Sequence, residues 1–387
     1  MSAGDLHGRR LWFVGIGGAG LSAYAQLARA WGAEVGGWDR VRTPYLEPLA
    51  DVPLEIAPEP LVPDGWEAVV SSAYPSVPGM RRVEFLRELV SARSSIVVAG
   101  THGKGTTAAM IAYVLRETGR DPAWLIGAPV PQLGSNAGGG DGLLVVEADE
   151  SDRTVFALPA EIAVVTNVEL DHHSEFASVS ELEEEFDRWL AAAAHVVRDA
   201  APLDGELALP GAHNRQNAGA ALAALELAGV SRAEAEPVLR HFTGTGRRFE
   251  VHEHGEITIV DDYAHHPTEI AVTIAAVRER FPGARVRVLF QPHLFSRTRH
   301  LADELAEALA AADDVTVTDI YPAREQPVPG VTARLVVDAL SDRGVLAAYM
   351  PTVEDGVARL QRRARPGDVL LVLGAGDVDR AVGLLQR

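Results

Sequence analysis

Twice along the chain a short apolar run breaks into a cluster of glycines that opens directly onto a helical pattern. The first follows residues 11–15 as Gly15-Ile-Gly17-Gly18-Ala-Gly20; the second follows residues 96–99 as Gly100-Thr101-His102-Gly103-Lys104-Gly105-Thr106-Thr107. A strand that turns tightly into a helix is the opening of a βαβ unit, so the chain is constrained to α/β architecture with mostly parallel sheets.

Patterns further along extend this reading. Strand-like runs at 34–38, 68–71, 143–146, 162–166, 257–260, 286–290, 315–318 and 369–373 alternate with helical patterns at 21–31, 179–194, after Asn214, at 267–281 and at 302–311. At 387 residues the chain is too long for one ordinary core. The strand-and-helix alternation restarts near 91–95 and again before 257, which predicts three domains, each a mostly parallel sheet with helices: 1–92, 93–240 and 241–387. No fixed-period repeat is present.

A formal charge of -19 makes the surface repel polyanions, so no nucleic-acid partner is expected. An anionic ligand then needs a locally positive pocket. Of the 35 basic residues one is lysine, Lys104, and the other 34 are arginines. Where charge alone sufficed, arginine took the position; at Lys104 a compact ammonium was kept, and the two cations are not interchangeable around phosphate.

The chain has no cysteine, which removes disulfides, thiolate metal sites and cysteine nucleophiles together. No apolar signal core opens the sequence and no apolar run reaches membrane length, so a cytoplasmic protein without a membrane partner is expected.

The glycines at 15, 17, 18 and 20 let backbone amides approach a diphosphate at a helix N-terminus. Asp39, at the end of the following strand, supplies the acid suited to a ribose hydroxyl. This pattern by itself fits a dinucleotide or a nucleotide sugar equally. The second loop has P-loop context: its amides would cradle ATP phosphates, with Lys104 reaching the outer oxygens. Glu147-Ala-Asp149-Glu150-Ser-Asp152 and Thr166-Asn167-Val-Glu169-Leu-Asp171-His172 stand at strand ends, where such sheets place ligands and where carboxylate and imidazole could hold Mg²⁺. Three further groups fall at boundaries between apolar elements: 246–250, 261–269 and 290–298. The histidine pair His265-His266 lacks the spacing of a zinc site.

Taken in order, these stretches, together with Pro210-Gly-Ala-His-Asn214 and Asn217, resemble the Mur ligase family over nearly the whole chain, and within it the alanine-adding type. The resemblance implies an N-terminal domain that holds a UDP-sugar through Gly15, Gly17, Gly18, Gly20, Asp39, Ser71 and Ser72, rather than NAD. It implies ATP on residues 100–107 of the central domain, with Asn214 and Asn217 flanking adenine. Lys104, Glu147, His172 and Arg248 would be catalytic, Mg²⁺ would be held by Thr106, Glu147 and His172, and Arg248 and Asp262 would complete the nucleotide site. His293 and Arg297 would be parts of the amino-acid pocket, and His265 would bind substrate. The implied reaction is ATP-dependent ligation of L-alanine to UDP-N-acetylmuramate through an acyl phosphate, in peptidoglycan precursor synthesis. Sister ligases use a carbamylated lysine; with no lysine besides Lys104, this chain favours the alanine-adding type.

Three departures stand out. Gly105 replaces the hydroxyl residue that usually follows the P-loop lysine, Leu294 stands where the family places arginine, and residues 195–209 are too few for the strands and helix normally found there. The last predicts a smaller central sheet with one edge pared back. A second reading is therefore a degenerate paralogue that binds UDP-muramyl precursor or ATP without efficient turnover. A third, an NAD-dependent dehydrogenase, leaves the P-loop unexplained. Oligomeric state is not encoded in any of these motifs.

Overall fold

The apolar run near the N-terminus forms β1 (Arg10–Val14), which is buried from Leu11 onward, as a strand sandwiched between helices requires. The computed structural model describes residues 6–170, 175–323 and 325–387. They divide into two compact units, one running to Ala208 and including Gln216–Thr245, the other made of Leu209–Arg215 and Gly246–Arg387.

The first unit contains two sheets. After β1 come α1 (Ala19–Ala30), β2 (Glu34–Asp39), β3 (Leu54–Ile56), β4 (Glu67–Val70), β5 (Met80–Arg81) and α2 (Arg82–Ser91). Their strands pair in parallel in the order β3-β2-β1-β4-β5. The second sheet uses β6 (Ser95–Ala99), α3 (Lys104–Glu117), β7 (Ala123–Val130), β8 (Ser135–Gly139), β9 (Leu144–Glu147), β10 (Ile162–Val165), α4 (Val179–Leu190) and β11 (His195–Val197). Its order is β11-β10-β6-β9-β7-β8, parallel except where β8 returns along β7. Helices α5 (Ala212–Leu227) and α6 (Arg232–Leu239) follow.

One apolar core runs through both sheets, from Leu11 and Phe13 to Phe186 and Leu190. Helix α1 seats against β8 because glycine leaves room: a Cβ at Gly139 would lie 2.1 Å from that of Ala30. Polar groups fix the same seam. Ser135 Oγ donates to Gln26 Oε1 at 2.8 Å, and Asn136 Nδ2 donates to Ala19 O at 3.2 Å.

The second unit comprises β12 (Glu250–His254), β13 (Ile257–Asp262), α7 (Pro267–Arg280), β14 (Val286–Phe290), α8 (Phe295–Leu309), β15 (Asp314–Val317), α9 (Arg334–Asp342), β16 (Ala347–Tyr349), α10 (Val353–Arg363), β17 (Val369–Leu373) and α11 (Arg380–Leu385). The sheet order is β12-β13-β17-β14-β15-β16, with only β12 antiparallel. The expected α/β class with three mostly parallel sheets is what the chain adopts.

Local differences have identifiable causes. Helix α8 starts at Phe295 instead of near 302, because the chain is non-helical at Leu301 and the regular apolar period resumes only after that kink. Helix α4 stops at Leu190, and a three-residue edge strand, β11, follows with Val196 exposed. The run Ser-Asn-Ala-Gly-Gly has little strand propensity, yet it forms β8 because the Trp124 ring lies across Gly138, where a Cβ would be 2.2 Å from it.

Candidate functional site

In the first sheet β1 is the strand at which the order reverses, and its C-terminal end therefore opens between those of β2 and β4. Gly15 has φ +90, and a Cβ there would stand 2.9 Å from Ser71 Cβ and 3.1 Å from the Tyr74 ring. Asp39, at the end of β2, accepts the Gly17 amide on Oδ2 at 2.7 Å and the Arg40 amide on Oδ1 at 2.7 Å. Thr43 Oγ1 donates to Gly17 O at 2.7 Å. Asp39 thus shapes the glycine turn itself, a role that the ribose reading did not include. Gly18 caps α1 in extended conformation, and Gly20 faces open space. Ser71 Oγ accepts the Ala73 amide, while Ser72 is exposed in the same turn.

The second sheet repeats the arrangement with β6 between β10 and β9. Gly100 has φ +116, and a Cβ on it would lie 2.4 Å from Thr166 Oγ1 and 2.7 Å from Asn167 O. The loop is stitched to the segment after β10. The Thr101 amide donates to Asn167 O, the His102 amide donates to Asn167 Oδ1, and Asn167 Nδ2 and Thr166 Oγ1 both donate to His102 O. Thr101 Oγ1 donates to Glu169 O and accepts the Glu169 amide. Gly103, left-handed at φ +80, caps α3, and a Cβ on it would be 2.3 Å from Asn217 Oδ1. Asn217 therefore abuts the loop directly. Thr106 and Thr107 are buried in the first turn of α3.

Lys104 Nζ lies 3.0 Å from Glu150 Oε2, 3.7 Å from Asp149 Oδ1 and 3.3 Å from Thr101 O. Burial alone would lower the lysine pKa; the carboxylates of Glu150 and Asp149 overcome it and hold the ammonium well above its ordinary range. Glu150 is 1% exposed, and burial raises its own pKa against the pull of Lys104. The sequence places this acidic run at a strand end, and the family resemblance implicates Glu147 within it. Its alternation around a strand end was the available signal for Asp149 and Glu150, yet only the fold turns them toward the lysine.

Glu147, at the end of β9, accepts the Gly127 amide on Oε2 at 2.6 Å. A Cβ at Gly105 would lie 3.0 Å from the same oxygen. A carboxylate oxygen is the donor type that a hard divalent cation such as Mg²⁺ takes, and Thr106 follows Gly105 in the first turn of α3. His172, proposed as its other ligand, lies outside the described residues.

In the second unit, Arg247 and Phe249 both take positive φ, at 56 and 53, in the turn before β12. The two carboxylate oxygens of Asp262 accept the amides of Phe249 and Ala264, each at 2.8 Å. Its burial pushes the pKa up to about 6, although Arg248 pulls the other way. Arg248 Nη1 donates to Glu269 Oε1 at 3.3 Å and lies over the Tyr263 ring at 5.1 Å. His265 Nδ1 is 3.0 Å from Tyr263 O, and His266 caps α7 by accepting the Thr268 amide. His265 meets His293 edge-on at 5.6 Å, and His293 stacks on Tyr321 at 5.8 Å. Arg297 Nη1 is 3.2 Å from His293 Nδ1. His265, His293 and Arg297 are thus brought together, with Tyr321 an addition that its sequence context did not announce. Leu294 is the N-cap of α8 and has φ 72, a strained backbone position for a residue with a Cβ. Asn214 Nδ2 donates to Pro210 O at 2.6 Å; this segment belongs to the second unit and Asn217 to the first.

The chain matches the Mur ligase middle domain over residues 98–194 and the Mur ligase glutamate ligase domain over residues 247–376. It is 38% identical over 436 residues to a UDP-N-acetylmuramate–L-alanine ligase of Streptomyces coelicolor, covering 95% of this chain and 94% of the relative. It is 40% identical to the like-named protein of an Arthrobacter species, over 93% and 90% of the two chains. The 436 aligned positions exceed the 387 residues of this chain, so the Streptomyces relative holds stretches that are missing here. Among solved structures, a Thermotoga maritima UDP-N-acetylmuramate–alanine ligase superposes with a TM-score of 0.79 at 25% identity, over 97% of this chain and 98% of the other.

Proposed function

The chain belongs to the Mur ligase family, and from that premise we propose that it is an ADP-forming ligase joining L-alanine to UDP-N-acetylmuramate in peptidoglycan precursor synthesis. The observation that carries the chemistry is Lys104, set at the N-terminus of α3 in a loop with left-handed glycines at 100 and 103 and faced by Glu147, Asp149 and Glu150. A carboxylate is a poor acyl donor because oxide would have to leave. Transfer of the γ-phosphoryl group of ATP to its oxygen gives an acyl phosphate and ADP. The amine of alanine then bonds to the carbonyl carbon, the carbon–oxygen bond to phosphate breaks, and phosphate departs with that electron pair. The amine proton passes to solvent.

The chain's own groups divide this work. Amides of residues 100–107 bind the phosphates, and Lys104 exchanges its carboxylate partners for phosphate oxygens. Glu147 and Thr106, with His172 as the family resemblance implies, are our proposed holders of Mg²⁺, which when bound neutralises charge on the phosphate oxygens. Gly15, Gly17, Gly18, Gly20, Ser71 and Ser72 are proposed to receive the UDP-sugar, with Asp39 holding their turn. Asn217 is assigned to the nucleotide through its contact with the loop. Asn214, Arg248, Asp262, His265, His293 and Arg297 are proposed ligand contacts of the second unit. We keep the division 1–92, 93–240 and 241–387 as the functional partition, and a cytoplasmic setting follows from the ATP and UDP-linked substrates. No described helix is long and apolar enough to cross a membrane.

The decisive experiment measures phosphate release from ATP. Release is expected only when UDP-N-acetylmuramate and L-alanine are both present. Absence of release above background with every proteinogenic amino acid would overturn the assignment and favour a binding protein without turnover.

A further inference from the structure

Arg82, the first residue of α2, lies between the two ligand loops of the first unit and was not singled out by any motif. On one side it hydrogen-bonds Tyr24, a buried residue of the helix that follows the first glycine turn. On the other it faces the acidic run after β9: one guanidinium nitrogen is 3.6 Å from Asp152 Oδ2, and Asp149, itself 3.7 Å from Lys104 Nζ, acts on it electrostatically. Its Nε is enclosed without a hydrogen-bond partner, while the side chain as a whole stays 29% exposed. A long, loose ion pair on a part-exposed guanidinium is an arrangement that a better anion would complete.

Resting on the ligase reading above, we propose that Arg82 grips the lactyl carboxylate of the muramyl substrate and presents it to the phosphate loop. The sugar nucleotide is anchored by its diphosphate at the turn ending β1, whereas the carboxylate must reach the phosphate held by Lys104. Arg82 is a cation placed between the two. Its planar fork matches a carboxylate with two parallel hydrogen bonds from its terminal nitrogens, and the Asp152 contact is the one given up. Tyr24 keeps the guanidinium in plane during the exchange.

The test compares two ligands that differ only in the lactyl group. UDP-N-acetylmuramate and UDP-N-acetylglucosamine are titrated by calorimetry into the wild type, Arg82→Gln and Arg82→Lys. The wild type is expected to prefer the muramyl ligand. In Arg82→Gln that preference falls by about tenfold or more, with affinity for UDP-N-acetylglucosamine, affinity for ATP and the thermal midpoint retained, and Arg82→Lys recovers part of it. Equal loss for both sugar nucleotides, or an unchanged preference, would show that Arg82 serves only to tie the helix to the acidic run and would overturn the proposal. If the wild type binds no UDP-N-acetylmuramate, it is the ligase reading that fails.

Discussion

The carboxylate of Glu147 crowds the place of a side chain at Gly105, its Oε2 lying 3.0 Å from a Cβ placed there. What reads in sequence as the loss of a hydroxyl after the P-loop lysine is, in the fold, the condition for Glu147 to close on the first turn of α3 while accepting the Gly127 amide. Gly105→Thr is therefore expected to push Glu147 off that amide and not to repair the loop. The magnesium concentration for half-maximal phosphate release should rise, and kcat/KM should fall about tenfold, roughly 1.4 kcal/mol. A magnesium titration that superposes on the wild type would contradict this account.

Lys104 is clamped by Glu150 and Asp149, so its charge is already balanced and its loop is formed. Lys104→Ala should lower kcat by at least about a hundredfold, the scale of losing one positioned charge at a developing anion. Affinity for UDP-N-acetylmuramate should stay near the wild-type value. Lys104→Arg should not restore the rate, because the planar guanidinium cannot occupy the compact ammonium site. Rapid-quench kinetics and calorimetry separate the two effects; an active Lys104→Ala protein would remove the loop from the mechanism.

Gly100 combines φ +116 with a Cβ position 2.4 Å from Thr166 Oγ1. Gly100→Ala meets both backbone strain and a collision, and should destabilise the chain by about 2 kcal/mol. Because the same change shifts the stitching between residues 101–102 and 166–169, activity should drop along with the thermal midpoint. The contrasting control is Gly119→Ala, where no heavy atom lies within 4 Å and only the backbone strain of φ +74 applies. Equal losses in the two variants would show that the collision is irrelevant.

Asp261 is buried at the end of β13, and burial lifts its pKa from 3.8 to about 7, with Arg247 opposing the shift and Asp262 adding to it. The folded chain thus keeps a proton that the unfolded chain gives up. The resulting stability is fully present below the unfolded pKa and is lost as the pH rises through the folded value. The urea midpoint should accordingly decline between about pH 4 and pH 7, at up to about 1.4 kcal/mol per pH unit for one group. Asp261→Asn should flatten that decline, because what remains sets Asp262, shifted upward to about 6, against His213, whose burial lowers its pKa to about 4 and makes stability rise with pH. An undiminished slope in the variant would assign the effect elsewhere.

The central strands were readable because strands buried on both faces are continuous apolar runs, and both ligand loops announced themselves through glycine. Edge elements were not. Strand β8 depends on Trp124 lying over Gly138, and β11 is three residues at a sheet margin. Likewise Asp39 was visible as an acid at a strand end, but its engagement with the Gly17 amide required the turn to be built.

What the sequence by itself determined is the α/β class, the two phosphate-type loops and the singular place of Lys104, since each rests on local periodicity, glycine conformation or residue chemistry. The tertiary structure alone decided which carboxylates face that lysine, that Asn217 abuts Gly103, that Gly105 makes way for Glu147 and that Arg82 stands between the loops. Those relations join residues tens of positions apart through strand order and packing, and no local propensity carries that information.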